Sequence, residues 1–279
     1  MTAASPLSFS APLAFIGGGN MANAILGGLI KQGLPPSAVE VVEPFEPARE
    51  RLQQSFGIAA MAAPGPALQR AGLVVWAVKP QTFKDAAAQA RPHLGDALHL
   101  SVAAGIRSDS MAGWLGTERI VRSMPNTPAL VGRGITGLYA RPAVGAADRA
   151  WVEQVVATTG ESLWVNAEAD LDAVTALSGS GPAYVFLFIE AMVRAGTEMG
   201  LAPEQAKRLA IATFAGAAQL AADATEPPEV LRERVTSKGG TTYAAITSMQ
   251  AAGVPQAFVD AMHAARERAR ELGDEFGRS

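Results

Sequence analysis

At 279 residues the chain is long enough to bury a large core in one or two domains. Hydrophobic residues make up 49% and charged residues 18%, which excludes a disordered polymer. A formal net charge of −3 is nearly balanced and points to no nucleic-acid or anionic-membrane footprint, and the absence of cysteine excludes disulfides, thiolate nucleophiles and cysteine-based metal sites. Residues 1–10 carry no basic side chain and no long apolar run, so they do not read as a signal peptide. The most lipid-like stretch, residues 184–189, stops at Glu190 and is too short to span a bilayer. A soluble, cytoplasmic protein is expected.

The first apolar run ends in Ile16-Gly17-Gly18-Gly19-Asn20-Met21-Ala22, followed by Ile25, Leu26, Leu29 and Ile30 at helical spacing. This is strand, glycine turn, helix. Gly17-x-Gly19-x-x-Ala22 fits a dinucleotide fingerprint: Gly17 makes the tight turn, Gly19 lets a pyrophosphate approach, and Ala22 allows helix–strand contact. The pyrophosphate would rest on amides at the helix start. A second strand over 39–43 ends in Glu43, placed to accept from the hydroxyls of an adenine ribose, while Arg49 could instead meet a 2′-phosphate. The cofactor is therefore NADPH or NADH, with the choice open.

Residues 47–56 read as a helix, and 73–78 as a third strand apolar enough to be buried on both faces. A helix over 81–90 and strands over 98–102 and 119–123 continue the alternation. Residues 122–128 are too proline-rich for a helix. Strands over 134–140 and 161–165 flank a helix over 146–158, and the pattern gives a doubly wound, Rossmann-like α/β domain over residues 11–166. Ligands of such sheets bind beyond the carboxyl ends of the strands. The dinucleotide is thus expected at Ile16, Gly17, Gly18, Gly19, Asn20, Met21, Glu43, Ala77, Val78, Lys79, Pro80, Ala104 and Asn126.

After Asn166 only helices are read, over 171–177, 183–199, 203–222, 228–235, 243–251 and 255–272, so residues 167–275 form an all-α domain. The helix from Ala183 is apolar nearly all round, more than so small a domain can cover by itself, which predicts a homodimer. Ser178-Gly-Ser-Gly-Pro182 before it reads either as an anion-binding helix start or as close packing.

The segment 236–242, Thr-Ser-Lys-Gly-Gly-Thr-Thr, has the flexible backbone and hydroxyls of an anion cradle. Its alternative reading is a helix start capped by Thr241 or Thr242. Elsewhere the chemistry is sparse. His93, His99 and His263 share no motif with a second metal-ligand type, and no nucleophile-elbow sequence supports a Ser-His-Asp triad.

Five motifs in register carry a resemblance: Phe15-Ile-Gly-Gly-Gly-Asn-Met-Ala22, Ala77-Val-Lys-Pro80, Met124-Pro-Asn-Thr-Pro128, Leu177-Ser-Gly-Ser-Gly-Pro-Ala-Tyr184 and Ser237-Lys-Gly-Gly-Thr-Thr242. Together, over about residues 12–272, they resemble the pyrroline-5-carboxylate reductase family. The resemblance implies reduction of 1-pyrroline-5-carboxylate to L-proline by NADPH or NADH, and a homodimer built by the helical domain and often gathered into decamers. It also maps a substrate-gripping loop onto Lys238, Gly239, Gly240, Thr241 and Thr242, with the Thr242 hydroxyl as partner of the imine nitrogen. Many family members have proline where this chain has Lys238, whose ammonium is expected to face solvent. The rivals are another imine reductase, a 3-hydroxyacid dehydrogenase, or a non-catalytic dinucleotide sensor or scaffold. The dehydrogenases resemble one another in a lysine on the long interdomain helix, and residues 183–199 contain none.

Overall fold

The computed structural model describes residue 9 and residues 11–278. The reading of residues 1–10 as lacking a signal peptide therefore concerns positions almost all outside this description. Two compact units are present, one running through Ser180 and taking in residues from Ala265 onward, the other Gly181–Ala264.

The first unit begins with β1 (Leu13–Ile16), α1 (Asn20–Lys31), β2 (Val39–Val42), α2 (Glu46–Phe56), β3 (Leu73–Trp76) and α3 (Pro80–Ala90). It continues with β4 (Leu98–Ser101), α4 (Ser108–Leu115), β5 (Ile120–Met124), β6 (Gly134–Ala140), α5 (Ala146–Val156), β7 (Gly160–Trp164) and α6 (Asp170–Val174). The strands form one sheet in the order β2-β1-β3-β4-β5-β6-β7. The first five are parallel, so their carboxyl ends share one edge.

Alternate residues of these strands enter different cores, as a pleated strand requires. Leu13, Phe15, Val41, Leu73 and Val75 pack in one cluster with Leu26 and Leu29 of α1 and Leu52 of α2. Ala14, Ile16, Val74 and Trp76 pack in the other, with Phe83 of α3 and Met111 of α4. Both faces are covered by helices, which is why β1 and β3 are apolar at every position.

Several features depart from the reading of the sequence, among them β3, which ends at Trp76 where the reading carried it to residue 78. The short α4 was not anticipated, because its eight residues include two serines and a glycine and hold only a fragment of a helical pattern. β6 runs antiparallel to β5. The link between them is a single 3-10 turn, Thr127–Val131, and a parallel return needs a crossover of about a dozen residues or more.

The second unit contains α7 (Gly181–Glu198), α8 (Pro203–Asp223), α9 (Pro228–Arg234), α10 (Thr241–Ala251) and the start of α11 (Val254–Arg278). α7 and α8 pack closely where Gly196 faces Ala206, and Phe258 of α11 sits edge-on to Tyr184 with ring centroids 5.9 Å apart. Within the chain, α7 leaves Phe186 59% and Leu187 62% exposed. α6, a π-helical turn over Thr175–Gly179 and α7 make a helical stretch, Asp170–Glu198, long and apolar enough by length and composition to cross a membrane, which the 184–189 window did not register.

Candidate active site

The glycine turn after β1 is built by contacts that only glycine tolerates. Gly17 has φ +99°, donates its N–H to the Val42 carbonyl at 2.8 Å, and a Cβ there would lie 2.5 Å from the Ala77 carbonyl oxygen. At Gly18 a Cβ would lie 2.8 Å from the Leu52 side chain. At Gly19, the residue preceding α1, a Cβ would meet nothing within 4 Å, so the space over the helix start is open. No side chain caps α1 and no acid lies in its first turn, so the amides of Asn20 and Met21 face that opening with the positive end of the helix dipole.

Asn23 holds the turn in shape. Its side-chain amide donates to the Gly18 and Gly19 carbonyls at 2.8 and 2.9 Å. Turning those carbonyls toward Asn23 points the intervening amides away from it. The sequence reading missed Asn23. A polar residue one turn into an otherwise apolar helix was the signal available.

The other expected dinucleotide residues follow the carboxyl ends of their strands. Glu43 succeeds β2, Ala77 and Val78 succeed β3, Lys79 and Pro80 open α3, and Ala104 and Asn126 follow β4 and β5. The shared edge therefore brings these positions to one rim of the sheet. Lys79 and Ala104 are exposed. The Asn126 side-chain oxygen, Oδ1, accepts from the Ile135 N–H at 3.0 Å, anchoring the loop after β5 to the start of β6. The Glu43 carboxylate accepts from the Gly18 and Phe45 N–H groups at 2.7 and 2.8 Å. Ile16, Gly17, Val42 and Val78 help line a cleft of about 340 Å³ at this rim.

An ionic cluster behind the rim also escaped the sequence reading. Glu168 accepts from the Ser108 N–H at 2.6 Å, from the Ser108 hydroxyl at 2.5 Å and from buried Arg122 at 2.6 Å. It joins the start of α4 to β5 across a sequence gap that no local pattern spans. His99 is buried as well, and its Nδ1 accepts the indole N–H of Trp76 at 3.0 Å. Burial, reinforced by the Arg119 charge and opposed by Asp96, lowers its pKa to about 4. It is a neutral packing residue. Among the described residues no group of histidines and acids is arranged to hold a metal.

In the helical unit, Gly239 has φ +77° and the Gly240 N–H donates to the Ser237 carbonyl at 3.0 Å, closing a tight turn. The structure corrects the capping alternative. Gly240 precedes α10 and no side chain caps it, because the helix already starts at Thr241 and neither threonine stands in the capping position. Four N-terminal amides of a helix lack partners unless something caps them, so this start is suited to an anion. Thr242 is half-buried with no hydrogen-bond partner for its hydroxyl among the described residues, and Lys238 is exposed and unpaired among them. The anion-binding alternative at residues 178–182 is also corrected. The backbone there is already helical, with Ser180 N–H bonded to the Thr175 carbonyl, and Gly179 gives room to the Met124 side chain, so the small residues serve close packing.

Comparison with known proteins agrees over nearly the whole chain. A family model described as pyrroline-5-carboxylate reductase dimerisation matches residues 168–272, and one described as NADP oxidoreductase, coenzyme F420-dependent, matches residues 12–105. The chain is 44% identical to pyrroline-5-carboxylate reductase of Pseudomonas aeruginosa, over 95% of this chain and 98% of that one. It superposes on a pyrroline-5-carboxylate reductase from Coxiella burnetii with a TM-score of 0.88, 36% identity, and coverage of 95% and 99% of the two chains. The Plasmodium falciparum enzyme, solved with NADP bound, gives a TM-score of 0.84 and 27% identity over 95% and 98%. The dimerisation match supports self-association, and its span includes the whole of α7, whose apolar side chains are exposed within the chain.

Proposed function

We propose a reaction on one premise: the chain belongs to the pyrroline-5-carboxylate reductase family. It reduces the cyclic imine of 1-pyrroline-5-carboxylate to L-proline, the last step of proline biosynthesis, with NADPH or NADH. Residues 11–166 serve as the dinucleotide domain and residues 167–275 as the domain for substrate and dimerisation. The homodimer gathers into decamers in the cytoplasm.

The residues after β1 fit a dinucleotide, since Gly19 leaves open the space a Cβ would fill and the start of α1 lacks a cap. The pyrophosphate would rest on the Gly18, Gly19, Asn20 and Met21 backbone, the ribose near Glu43, and the remainder along Ala77–Pro80, Ala104 and Asn126. When bound, the reduced nicotinamide supplies a hydride to carbon. No residue of the chain need accept or pass on that charge.

What the chain must supply is orientation and charge placement. A five-membered cyclic imine is basic enough to be partly protonated near neutrality, and the iminium carbon is then electrophilic without a strong acid beside it. The observation that carries this reading is the uncapped start of α10. Its amides, with those of Gly239 and Gly240, hold the substrate carboxylate against the positive end of a helix. The Thr242 hydroxyl oxygen accepts from the iminium N–H and keeps the ring in register. Lys238 faces solvent beside the loop.

Mixing the purified protein with the imine and either reduced dinucleotide, and following loss of absorbance at the reduced-nicotinamide band, tests the reaction. Oxidation that depends on the imine is expected. Its absence with both dinucleotides would favour the sensor or scaffold reading. Gly240→Val should raise KM for the imine first, because a Cβ at this position lies 2.8 Å from the Ser237 hydroxyl and disturbs the turn.

A further inference from the structure

The last turns of α11 belong to the sheet unit and lie against the loop that joins β4 to α4. Resting on the reading that the rim of the sheet binds a nicotinamide dinucleotide, we propose that Phe276 is a positioning residue for the reductase reaction. It holds the turn that presents Ala104 to the nicotinamide half of the cofactor.

That turn does not hold its own shape. Ala104 and Gly105 are its central pair, Gly105 has φ +72°, and among the described residues no backbone hydrogen bond from Ile106 to Ala103 closes it. Ala104 is exposed, whereas Ala103 and Ile106 on either side are buried. The turn is therefore fixed through its flanks. Before it, Ser101 Oγ accepts from the Ala103 N–H at 3.2 Å, and after it Glu168 accepts from the Ser108 N–H at 2.6 Å. Phe276 supplies the support at the middle. It packs on the core cluster that contains Ala103 and Ile106, and a Cβ at Gly105 would lie 3.1 Å from its ring and 3.4 Å from the Leu272 Cβ.

The spacing along α11 explains the fit. Leu272 and Phe276 are four residues apart, as are Gly273 and Gly277, so each pair shares one strip of the helix. The glycine strip lets the helix backbone come close. A Cβ at Gly273 would lie 2.8 Å from Arg107 Nε, and one at Gly277 would lie 3.1 Å from the Ser110 hydroxyl. Arg107 is itself held, its Nη2 donating to Asp172 at 3.2 Å. The apolar strip beside the glycines then meets Gly105.

The order of the sheet says which half of the cofactor feels this contact. The glycine turn and Glu43 follow β1 and β2, on the adenosine side, while β4 lies beyond β3 on the opposite side of β1. Ala104, after β4, is thus on the nicotinamide side. Without Phe276 the turn gains room to shift, and a misplacement of about 1 Å at the reacting atoms can cost on the order of 100-fold in rate.

The test is calorimetric titration of the full-length wild type and of Phe276→Ala with NADPH and NADH. Adenosine 2′,5′-bisphosphate and adenosine 5′-monophosphate serve as probes of the adenosine half alone, and circular dichroism checks that each variant is folded. Phe276→Ala should bind the intact dinucleotides about 5- to 10-fold more weakly and the fragments as the wild type does. Its kcat for the imine should fall by about 10-fold or more, with KM for the imine held within about twofold. Phe276→Leu keeps an apolar group against Gly105 and should recover most of both losses. Unchanged dinucleotide affinity and kcat in Phe276→Ala overturn the proposal. So does equal weakening of the fragments, which marks general damage to the sheet unit, and so does a Phe276→Leu variant as impaired as Phe276→Ala. A wild-type chain that binds neither dinucleotide sinks the reading of the rim itself, and the positioning role with it.

Discussion

The two glycine loops offer the same chemical group in different settings. Each ends at a helix start, α1 or α10, with no capping side chain, and each contains a glycine at positive φ. The loop after β1 is wedged into the sheet, with the Ala77 carbonyl and the Leu52 side chain against Gly17 and Gly18. The loop before α10 has far more room at its glycines. Gly239 has open space at its Cβ position, and Gly240 meets only Ser237 of its own turn. The first loop is shaped by a core and the second by its own short-range bonds. Mutations in the first should therefore fail as folding defects and those in the second as catalytic ones.

The largest expected effect is at Gly17. Gly17→Ala combines a left-handed backbone with a 2.5 Å approach to a backbone carbonyl that cannot move out of the way, and should cost about 3–5 kcal/mol or prevent folding. Thermal unfolding checks it, and a variant with near-native Tm would break the contrast between the loops.

Acid should also act on the sheet unit. The folded pKa of His99, about 4, lies below the ordinary value of 6.5, so the unfolded chain binds the extra proton first. Stability from keeping His99 neutral is whole above pH 6.5 and falls progressively as pH drops toward 4, by on the order of 3 kcal/mol. A His99→Gln variant should show a flatter stability profile in that window by denaturant titration. An unchanged slope would remove His99 from the account.

At the second loop, Thr242→Ala should lower kcat/KM for the imine by roughly 5- to 150-fold, or about 1–3 kcal/mol, with dinucleotide Kd and Tm unchanged. Unchanged kinetics would end the role given to Thr242. The smallest effect is expected at Gly239. Gly239→Ala meets no neighbour, so only the positive φ opposes it, at about 1–2 kcal/mol of local strain. Its KM for the imine should rise while the melting of the sheet unit holds steady, sharpening the separation between the loops.

Much of this was legible in the sequence because it rests on local pattern. The β1 boundaries, the positions after each strand and the helices of the second half follow from alternation, apolar runs and proline at helix starts. What stayed hidden depends on partners far along the chain. Glu168 reaches Ser108 and Arg122 across dozens of residues, and nothing near any of them announces the pairing. The capping role assigned to Thr241 or Thr242 failed for a subtler reason. Glycine and threonine both suit helix starts, and only the backbone decides which one stands at the boundary.

The sequence by itself determined the alternating α/β plan, the all-helical second half and the glycine turn after β1, since periodicity and backbone freedom are properties of short segments, and five motifs in register carried the family resemblance. Tertiary structure decided the rest. It set β6 antiparallel, gave the Glu43 carboxylate to Gly18 and Phe45, and tied Arg49 to the carbonyls of its own turn. Whether a charged side chain is free to meet a ligand depends on which neighbours already hold it, and folding brings those neighbours together.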